Sequence, residues 1–290
     1  MTQPPPRGAR IRHVDLLHSA YNLLLAAIWG ACLGKTSAAI PLSLLHLTVA
    51  ALPLLLRRAR AQWPATASVL REYYPLLLAG CYWIELAPLI PLLHSGTHDL
   101  ALQQLESSLT RGMWNSMVAN NAGHSILNET MYFFYASYLP LLVLPPFILG
   151  LRGRIDVLRD LSARVCLVAM TCFICDLAWP VAGPSYVAMR KPIASGIFSS
   201  GMIMLRTLGD AKGTAFPSLH VTVSVTIVLV AWRWFSRRLA LLLSALVFFL
   251  SVSCVYTGNH YVPDVLAGAL LALVLWALPM RASTLPANDA

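Results

Sequence analysis

The stretch that decides the fold is residues 238–256, RLALLLSALVFFLSVSCVY, which carries no charged side chain after Arg238. A helix needs about 20 such residues to cross the hydrocarbon core of a bilayer. The stretch is continuously apolar, whereas the strands of a membrane barrel would alternate apolar and polar residues. It therefore predicts a transmembrane helix.

The composition of the whole chain agrees with a membrane environment. Of its 290 residues, 58% are hydrophobic and only 11% are charged, against roughly 25% charged residues in a soluble domain. The mean hydropathy is +0.66. This composition excludes a soluble enzyme, and we predict an all-α fold, a polytopic transmembrane helix bundle.

Apolar stretches separated by charged breaks predict about eight spans. They lie near residues 15–34, 38–56, 73–94, 130–150, 163–182, 218–235, 238–256 and 261–280. If the spans alternate in direction, most of the 21 lysine and arginine residues fall on the side that holds both termini. The positive-inside rule makes this side, with both termini, cytoplasmic. The formal net charge of +9 is therefore a topology signal, and we predict no nucleic-acid partner.

Two longer stretches fall on the opposite, non-cytoplasmic side. In residues 95–129 leucines are interleaved with polar residues, which predicts an amphipathic helix on the membrane surface. Residues 183–217 are rich in Gly, Pro and Ser, a composition typical of a site-forming loop.

The first candidate for chemistry is the histidine of Phe216-Pro217-Ser218-Leu219-His220. Proline suits the first position of a helix, so we expect a span to begin here, with His220 in its first turn. Backbone N–H groups at a helix start are a natural site for a phosphate. Alone, the motif fits equally a helix cap with an incidental interfacial histidine.

The second candidate pair is His260 and Asp264, at the start of the last span. Pro263 marks the helix start, and the four-residue separation lets the carboxylate reach the imidazole. A carboxylate bound to one ring nitrogen fixes the tautomer and leaves the other nitrogen free to attack. The alternative is a carboxylate that only stabilises its own helix. Because one helix leaves and one returns between His220 and His260, both should emerge on the same face, which favours a joint site.

These residues carry a resemblance. The Phe216–His220 segment and His260-x-x-x-Asp264 resemble the second and third motifs of the phosphatidic acid phosphatase type 2 superfamily. Residues 180–186, PVAGPSY, and Gly209-Asp210 are more similar to its inositol phosphorylceramide synthase branch, as is the aromatic stretch 132–138. The likeness is good over residues 180–270 and weaker over 72–145. It implies two parts, N-terminal spans with the amphipathic outer segment (1–129) and a phosphatase-like catalytic membrane core (130–290).

The resemblance also implies roles for the three residues. His260 would attack phosphorus and form a phosphohistidine, Asp264 would orient it, and His220 would protonate the leaving oxygen and then act as a base.

Three departures from the superfamily pattern concern the phosphate-binding groups. The arginine expected six residues before the nucleophile is Cys254 here, and Leu219 replaces the usual glycine. The first motif of the superfamily, a lysine followed by Arg-Pro, has only Arg190-Lys191-Pro192 as a similar segment, with no lysine at the expected distance. The phosphate must then be bound by other groups. The predicted substrate-binding residues are Ser218, Arg190, Lys191, Arg206, Lys212 and Asp210, the last as a group that positions an acceptor hydroxyl. Each cation could instead make ordinary headgroup contacts.

The sequence thus predicts an integral-membrane enzyme that acts on a lipid phosphate or phosphodiester, as a phosphatase or as a phosphotransferase similar to inositol phosphorylceramide synthase. The acceptor would be water or an alcohol such as inositol. We expect no cofactor and no metal, a plasma (inner) membrane location and a site on the non-cytoplasmic face. The alternative is a non-catalytic transporter or scaffold. Glu85 and Asp176 are acids within predicted spans, where a carboxylate is a candidate for function. For these two a protonated or hydrogen-bonded structural role is the favoured interpretation.

Overall fold

The computed structural model describes residues 12–59, 62–111, 125–187, 194–209 and 211–278. Within these ranges the chain forms thirteen helices. They are α1 (His13–Ala31), α2 (Ala39–Ala50), α3 (Leu52–Ala59), α4 (Pro64–Leu93), α5 (Asp99–Thr110), α6 (Ser125–Ala136), α7 (Tyr138–Leu151), α8 (Ile155–Ala178), α9 (Pro184–Val187), α10 (Ile197–Gly209), α11 (Leu219–Trp234), α12 (Arg237–Tyr256) and α13 (Val262–Trp276). The predicted all-α fold is confirmed for the described residues, whose only β feature is an isolated bridge between Val181 and Thr214.

Several of these helices are long and apolar enough to cross a membrane, as expected of an integral membrane protein. Four qualify by length and composition, at residues 68–93, 126–151, 155–178 and 237–256, and a fifth if α2 and α3, bent by 47°, form one span. The predicted count of about eight is not reached by this measure. Helices α11 and α13 are apolar but have only 16 and 15 residues, and polar residues such as Asp15 and Asn22 interrupt α1.

Two helices extend beyond their predicted spans because charged residues that we read as breaks are paired with acidic side chains of the bundle. Arg159 of α8 donates to Glu72 of α4 at 2.6 Å, and Arg164 donates to Asp160 at 2.9 Å. A buried charge is tolerated in a helix when it is paired and hydrogen-bonded. Consequently α8 begins at Ile155 instead of near residue 163, and α4 begins at Pro64 instead of near residue 73.

Helix α8 is the centre of the bundle and packs against α1, α4, α7, α11 and α13. Its buried side chains include Leu158, Cys166, Met170 and Phe173. The candidate histidines and aspartate lie at the starts of α11 and α13, and these two helices contact each other more extensively than either contacts α8. A Cβ atom at Gly268 of α13 would lie 2.7 Å from the carbonyl oxygen of Ser218, so only glycine allows this approach. The starts of α11 and α13 are thereby held side by side.

Candidate active site

His220 lies in the first turn of α11, as the motif predicts, but the helix start differs in detail. Ser218, and not Pro217, is the residue that caps the helix, and its hydroxyl accepts a hydrogen bond from the Val221 N–H at 3.4 Å. Ser218 is fully buried. Capping is therefore the contact that the structure shows for Ser218, and its part in substrate binding stays a prediction.

The His260 ring lies between a backbone carbonyl and His220. Its Nδ1 is 2.9 Å from the carbonyl oxygen of Ala215, and its Nε2 is 3.4 Å from Nδ1 of His220. A carbonyl oxygen only accepts hydrogen bonds, so Nδ1 of His260 must carry the proton. The lone pair of His260 is then on Nε2, which points toward His220.

Asp264 is close to His260 but is not its nearest partner. Its Oδ2 lies 3.7 Å from Nδ1 of His260 and accepts the Tyr261 N–H at 2.7 Å. The expectation that the carboxylate alone fixes the tautomer therefore needs correction, because the Ala215 carbonyl makes the shorter contact. Asp264 is fully buried, and its Oδ1 has no partner among the described residues. The carboxylate holds the Tyr261 backbone and places a negative charge beside the imidazole.

Two tyrosines that the sequence analysis did not assign to the site hold the ring of His220. The ring stacks on Tyr135 of α6 with centroids 4.9 Å apart, and it contacts Tyr138 of α7 at 4.4 Å. Both belong to the aromatic stretch 132–138, where their three-residue spacing was visible. Their contact with a histidine far along the chain depends on the packing of α6 and α7 against α11 and α12, which the sequence does not show.

Helix α5 also contributes to the site. Asp99 accepts the N–H groups of Ala182 and Gly183 at 3.0 and 2.9 Å and the Tyr261 hydroxyl at 3.1 Å. Gln103 donates to the same hydroxyl at 3.2 Å. Burial raises the pKa of Tyr261, so its hydroxyl stays protonated and donates to Asp99. Within the stretch 95–129 that we predicted to be amphipathic, a helix is described over Asp99–Thr110, and residues 112–124 lie outside the described residues. The polar side of this helix packs against the loops around the histidines.

Glu106 continues this polar side one turn further along α5. Its carboxylate accepts the Val262 N–H at 3.1 Å, at the start of α13, where a negative charge stabilises a helix. Burial raises the pKa of Glu106, although the Val262 N–H acts in the opposite direction. The spacing of Asp99, Gln103 and Glu106 places them on one helix face, a signal in the sequence that we did not use.

The predicted phosphate-binding cations are only partly described. Arg190, Lys191 and Asp210 lie outside the described residues. Lys212 is exposed three residues before Ala215. Arg206 of α10 donates to the Ser185 hydroxyl at 3.0 Å, and its guanidinium lies 5.3 Å from the centre of the Tyr186 ring.

Residue 254, where the superfamily pattern has an arginine, is a buried cysteine in this chain. The carbonyl oxygen of Cys254 accepts the His260 N–H at 3.1 Å. Cys254 therefore supports the site through its backbone carbonyl, and its side chain is fully buried.

The fold and the site define an integral-membrane helical protein with a two-histidine, one-aspartate site at the starts of two neighbouring helices. The sequence profile of the PAP2 superfamily matches residues 100–278. The chain belongs to the PAP2 superfamily, whose members are generally phosphatases and phosphotransferases. Comparison with curated proteins and with solved structures gives no match. The match begins within α5, one residue after Asp99, and includes His220, His260 and Asp264.

Membership supports a phosphoryl-transfer function of the phosphatase type, with a phosphorylated substrate and a membrane location. The part of the chain before residue 100, which contains α1 to α4, lies outside the matched region.

Proposed function

We propose that the protein transfers or hydrolyses the phosphoryl group of a lipid phosphate or phosphodiester through a phosphohistidine on His260. The observation that carries the proposal is the contact of His260 with the Ala215 carbonyl at 2.9 Å. This contact keeps the proton on Nδ1 and leaves Nε2 unprotonated and facing His220. A nitrogen lone pair held in place by a neighbouring acceptor is what nucleophilic attack on phosphorus requires.

The reaction then has two displacements. In the first, Nε2 of His260 attacks phosphorus, the N–P bond forms, and the bond from phosphorus to the leaving oxygen breaks while His220 gives that oxygen a proton. In the second, the oxygen of water or an alcohol attacks phosphorus and His220 takes its proton. The N–P bond breaks and His260 is restored. Asp264 stabilises the positive charge that His260 carries between the two steps.

The distance between the two histidines adds a condition. An in-line displacement places attacking nitrogen, phosphorus and leaving oxygen in a row, which needs about 6 Å or more between the attacking and the proton-donating nitrogen. The attacking Nε2 of His260 and Nδ1 of His220, the ring nitrogen that faces it, are only 3.4 Å apart. Because Tyr135 and Tyr138 pack on His220, we expect substrate binding to move the His260 loop away from a fixed His220 ring.

The proposed substrate is a lipid because the site lies at the ends of apolar helices. In the proposed topology about eight helices cross the membrane, both termini are cytoplasmic and the site faces the non-cytoplasmic side of a plasma (inner) membrane. A charged cluster between the start of α1 and the N-terminal part of α4 supports this orientation. It joins Arg12 to Asp15 and Glu72, and Arg71 to Asp15, and arginine favours the cytoplasmic side.

The topology is tested with single cysteines and a membrane-impermeant thiol reagent on intact cells. Ser200 and Ser236 are both exposed and lie on opposite sides of the proposed membrane. We expect Ser200→Cys to be labelled above the background of the native cysteines and Ser236→Cys not to be. The reverse pattern would place the site in the cytoplasm.

Water and an alcohol such as inositol are the two proposed acceptors. Transfer is supported by the stretch 180–186, the part most similar to the inositol phosphorylceramide synthase branch, which contacts the catalytic loop. A Cβ atom at Gly183 would lie 2.5 Å from the Asn259 carbonyl oxygen. Purified protein in detergent should be offered phospholipid and isoprenoid phosphates with and without inositol. With an isoprenoid phosphate, free phosphate indicates hydrolysis and inositol phosphate indicates transfer. With a phospholipid diester, a released phosphomonoester indicates hydrolysis and a new inositol-containing phosphodiester indicates transfer. The absence of all these products with every donor would contradict the proposal.

A further inference from the structure

A cleft of about 750 Å³ lies on the N-terminal half of the bundle, between α2 and α4. Leu42, Leu45, Val49 and Leu78 are among the apolar residues that line it. Leu45 is 51% exposed, so the cleft is open toward the outside of the bundle, where a membrane helix meets hydrocarbon chains. Its apolar walls suit a lipid chain.

One wall of the cleft is polar. Its central group is Glu85, whose Oε1 accepts a hydrogen bond from Trp29 Nε1 and lies 2.6 Å from Nε2 of His46. His46 is fixed in turn, because its Nδ1 lies 2.8 Å from the Asn22 side-chain oxygen. The side chain of Glu85 is 14% exposed, and it lines the cleft.

The second carboxylate oxygen of Glu85, Oε2, receives no hydrogen bond from the described part of the chain. An acidic oxygen within a bilayer needs a hydrogen-bond donor or a proton. A ligand hydroxyl or amide N–H in the cleft would provide the donor. A diacylglycerol lipid would not provide this donor, since its two carboxylic ester groups offer only hydrogen-bond acceptors.

The outer end of the cleft adjoins the candidate active site. Arg206 and Tyr186 line this end. Arg206 donates to the Ser185 hydroxyl at 3.0 Å, and the Ser185 N–H donates to the Gly258 carbonyl at 2.8 Å, two residues before His260. A phosphate attracted by the guanidinium would therefore lie next to the loop that carries the nucleophile.

We propose that this cleft binds the hydrocarbon chain of the lipid phosphate, and that Glu85 accepts a hydrogen bond from a hydroxyl or amide N–H close to the phosphate. The inference rests on the proposed function and adds the substrate class, a lipid phosphate with a hydrogen-bond donor next to its head group. A site built to hydrogen-bond a substrate group discriminates strongly against the analogue that lacks it.

The first test compares hexadecyl phosphate with 2-hydroxyhexadecyl phosphate, which differ only in the hydroxyl. We expect the wild-type protein to hydrolyse the hydroxylated lipid with about tenfold higher kcat/KM. In Glu85→Gln the amide nitrogen replaces Oε2 and cannot accept, so the preference should disappear. Asp156→Asn, which alters an exposed carboxylate of α8, should keep it. Equal use of the two lipids by the wild-type protein would overturn the proposal.

The second test measures binding without turnover. The full-length protein in nanodiscs is irradiated with 2-hydroxyhexadecyl phosphate that carries a diazirine at the end of its chain. Mass spectrometry should find the label on Leu45, Val49, Leu78 or Cys81, and excess unlabelled hydroxylated lipid should remove it. Label spread over other exposed apolar residues, such as Leu266 and Leu270 of α13, would overturn the proposal. If the cleft is labelled but no lipid phosphate is turned over, the proposed function fails and the cleft assignment stands.

Discussion

In the described part of the chain, one histidine–carboxylate pair lies in each half of the bundle, and the two pairs are built differently. In the N-terminal half, His46 and Glu85 are in direct contact at 2.6 Å. In the C-terminal half, Asp264 is 3.7 Å from His260, whose Nδ1 is bound instead by the Ala215 carbonyl.

The difference separates a binding role from a catalytic one. Both ring nitrogens of His46 contact groups of the bundle, the Asn22 side-chain oxygen and the Glu85 carboxylate. Nδ1 of His260 is likewise held, by the Ala215 carbonyl, but its Nε2 contacts the ring of a second histidine at the longer distance of 3.4 Å, a contact that an incoming phosphate can replace. The residue types alone do not distinguish the two pairs.

The largest expected effect comes from removing one histidine of each pair. His260→Gln should lower kcat for phosphate release or transfer by on the order of a millionfold, as for loss of a nucleophile. His46→Gln should mainly raise KM, because it disturbs the cleft. His13→Ala, at an exposed position in α1, is the control. If His46→Gln lowered kcat as much as His260→Gln, the distinction between the pairs would be wrong.

The second prediction concerns His220. Its replacement by Asn should lower kcat by about a hundredfold to ten-thousandfold, the range for a general acid. The loss should shrink for a lipid phosphate ester with an aryl leaving group, which departs without a proton. Steady-state rates on an alkyl and an aryl ester of the same phosphate measure this, and an equal loss on both would remove the assigned role of His220.

The third prediction uses the charge of Asp264. Asp264→Asn retains an oxygen near the Tyr261 N–H but removes a negative charge about 4 Å from the imidazole, which should cost about a hundredfold in kcat. Thermal unfolding of the purified variant checks that the helix start is intact. An unchanged kcat in a folded protein would mean that the Ala215 carbonyl suffices.

The fourth and smallest effect is expected at Glu106. Glu106→Ala removes the acceptor for the Val262 N–H and should destabilise the protein by about 1 kcal/mol, as for a lost helix cap. Glu106→Gln retains an acceptor without the charge. Its activity should stay within a few-fold of the wild-type value, because α13 keeps its contact with α5.

The pKa of Glu106 gives this variant a pH signature. Burial raises that pKa above its ordinary value of 4.5, so folding favours the protonated acid. This contribution is complete below the ordinary pKa and is lost as the pH rises through the raised value. The wild-type protein should therefore lose stability relative to Glu106→Gln as the pH rises. The Tm of the variant minus the Tm of the wild-type protein should increase from acid toward neutral pH. A constant difference would contradict the raised pKa.

The sequence predicted the positions of the helices well, but it predicted less well where helices with charged residues near their ends begin. Apolar runs located a helix for each predicted span, because hydrophobicity is a local signal. Arg159 and Arg164 were read as breaks, yet lie inside α8. The partner of Arg159, Glu72, lies on another helix and is not visible in the sequence, whereas the pair of Arg164 with Asp160, four residues earlier, was a local signal that we missed.

The same limit applies to the site. His220, His260 and Asp264 were predicted from motifs that begin helices, and the structure brings them together. The Ala215 carbonyl could not be predicted, because every residue has one and only the packing of the loop selects it. The docking of Asp99 and Glu106 depends on the direction in which α5 crosses the starts of the other helices.

The central claim is that His260 carries the phosphoryl group during turnover. The direct test is a rapid quench into alkali of the protein reacting with a lipid phosphate ester that has a radiolabelled phosphorus and an aryl leaving group. The account predicts label on Nε2 of His260, more of it in His220→Asn and none in His260→Gln. Label on another residue, or turnover with no labelled protein in His220→Asn, would contradict it.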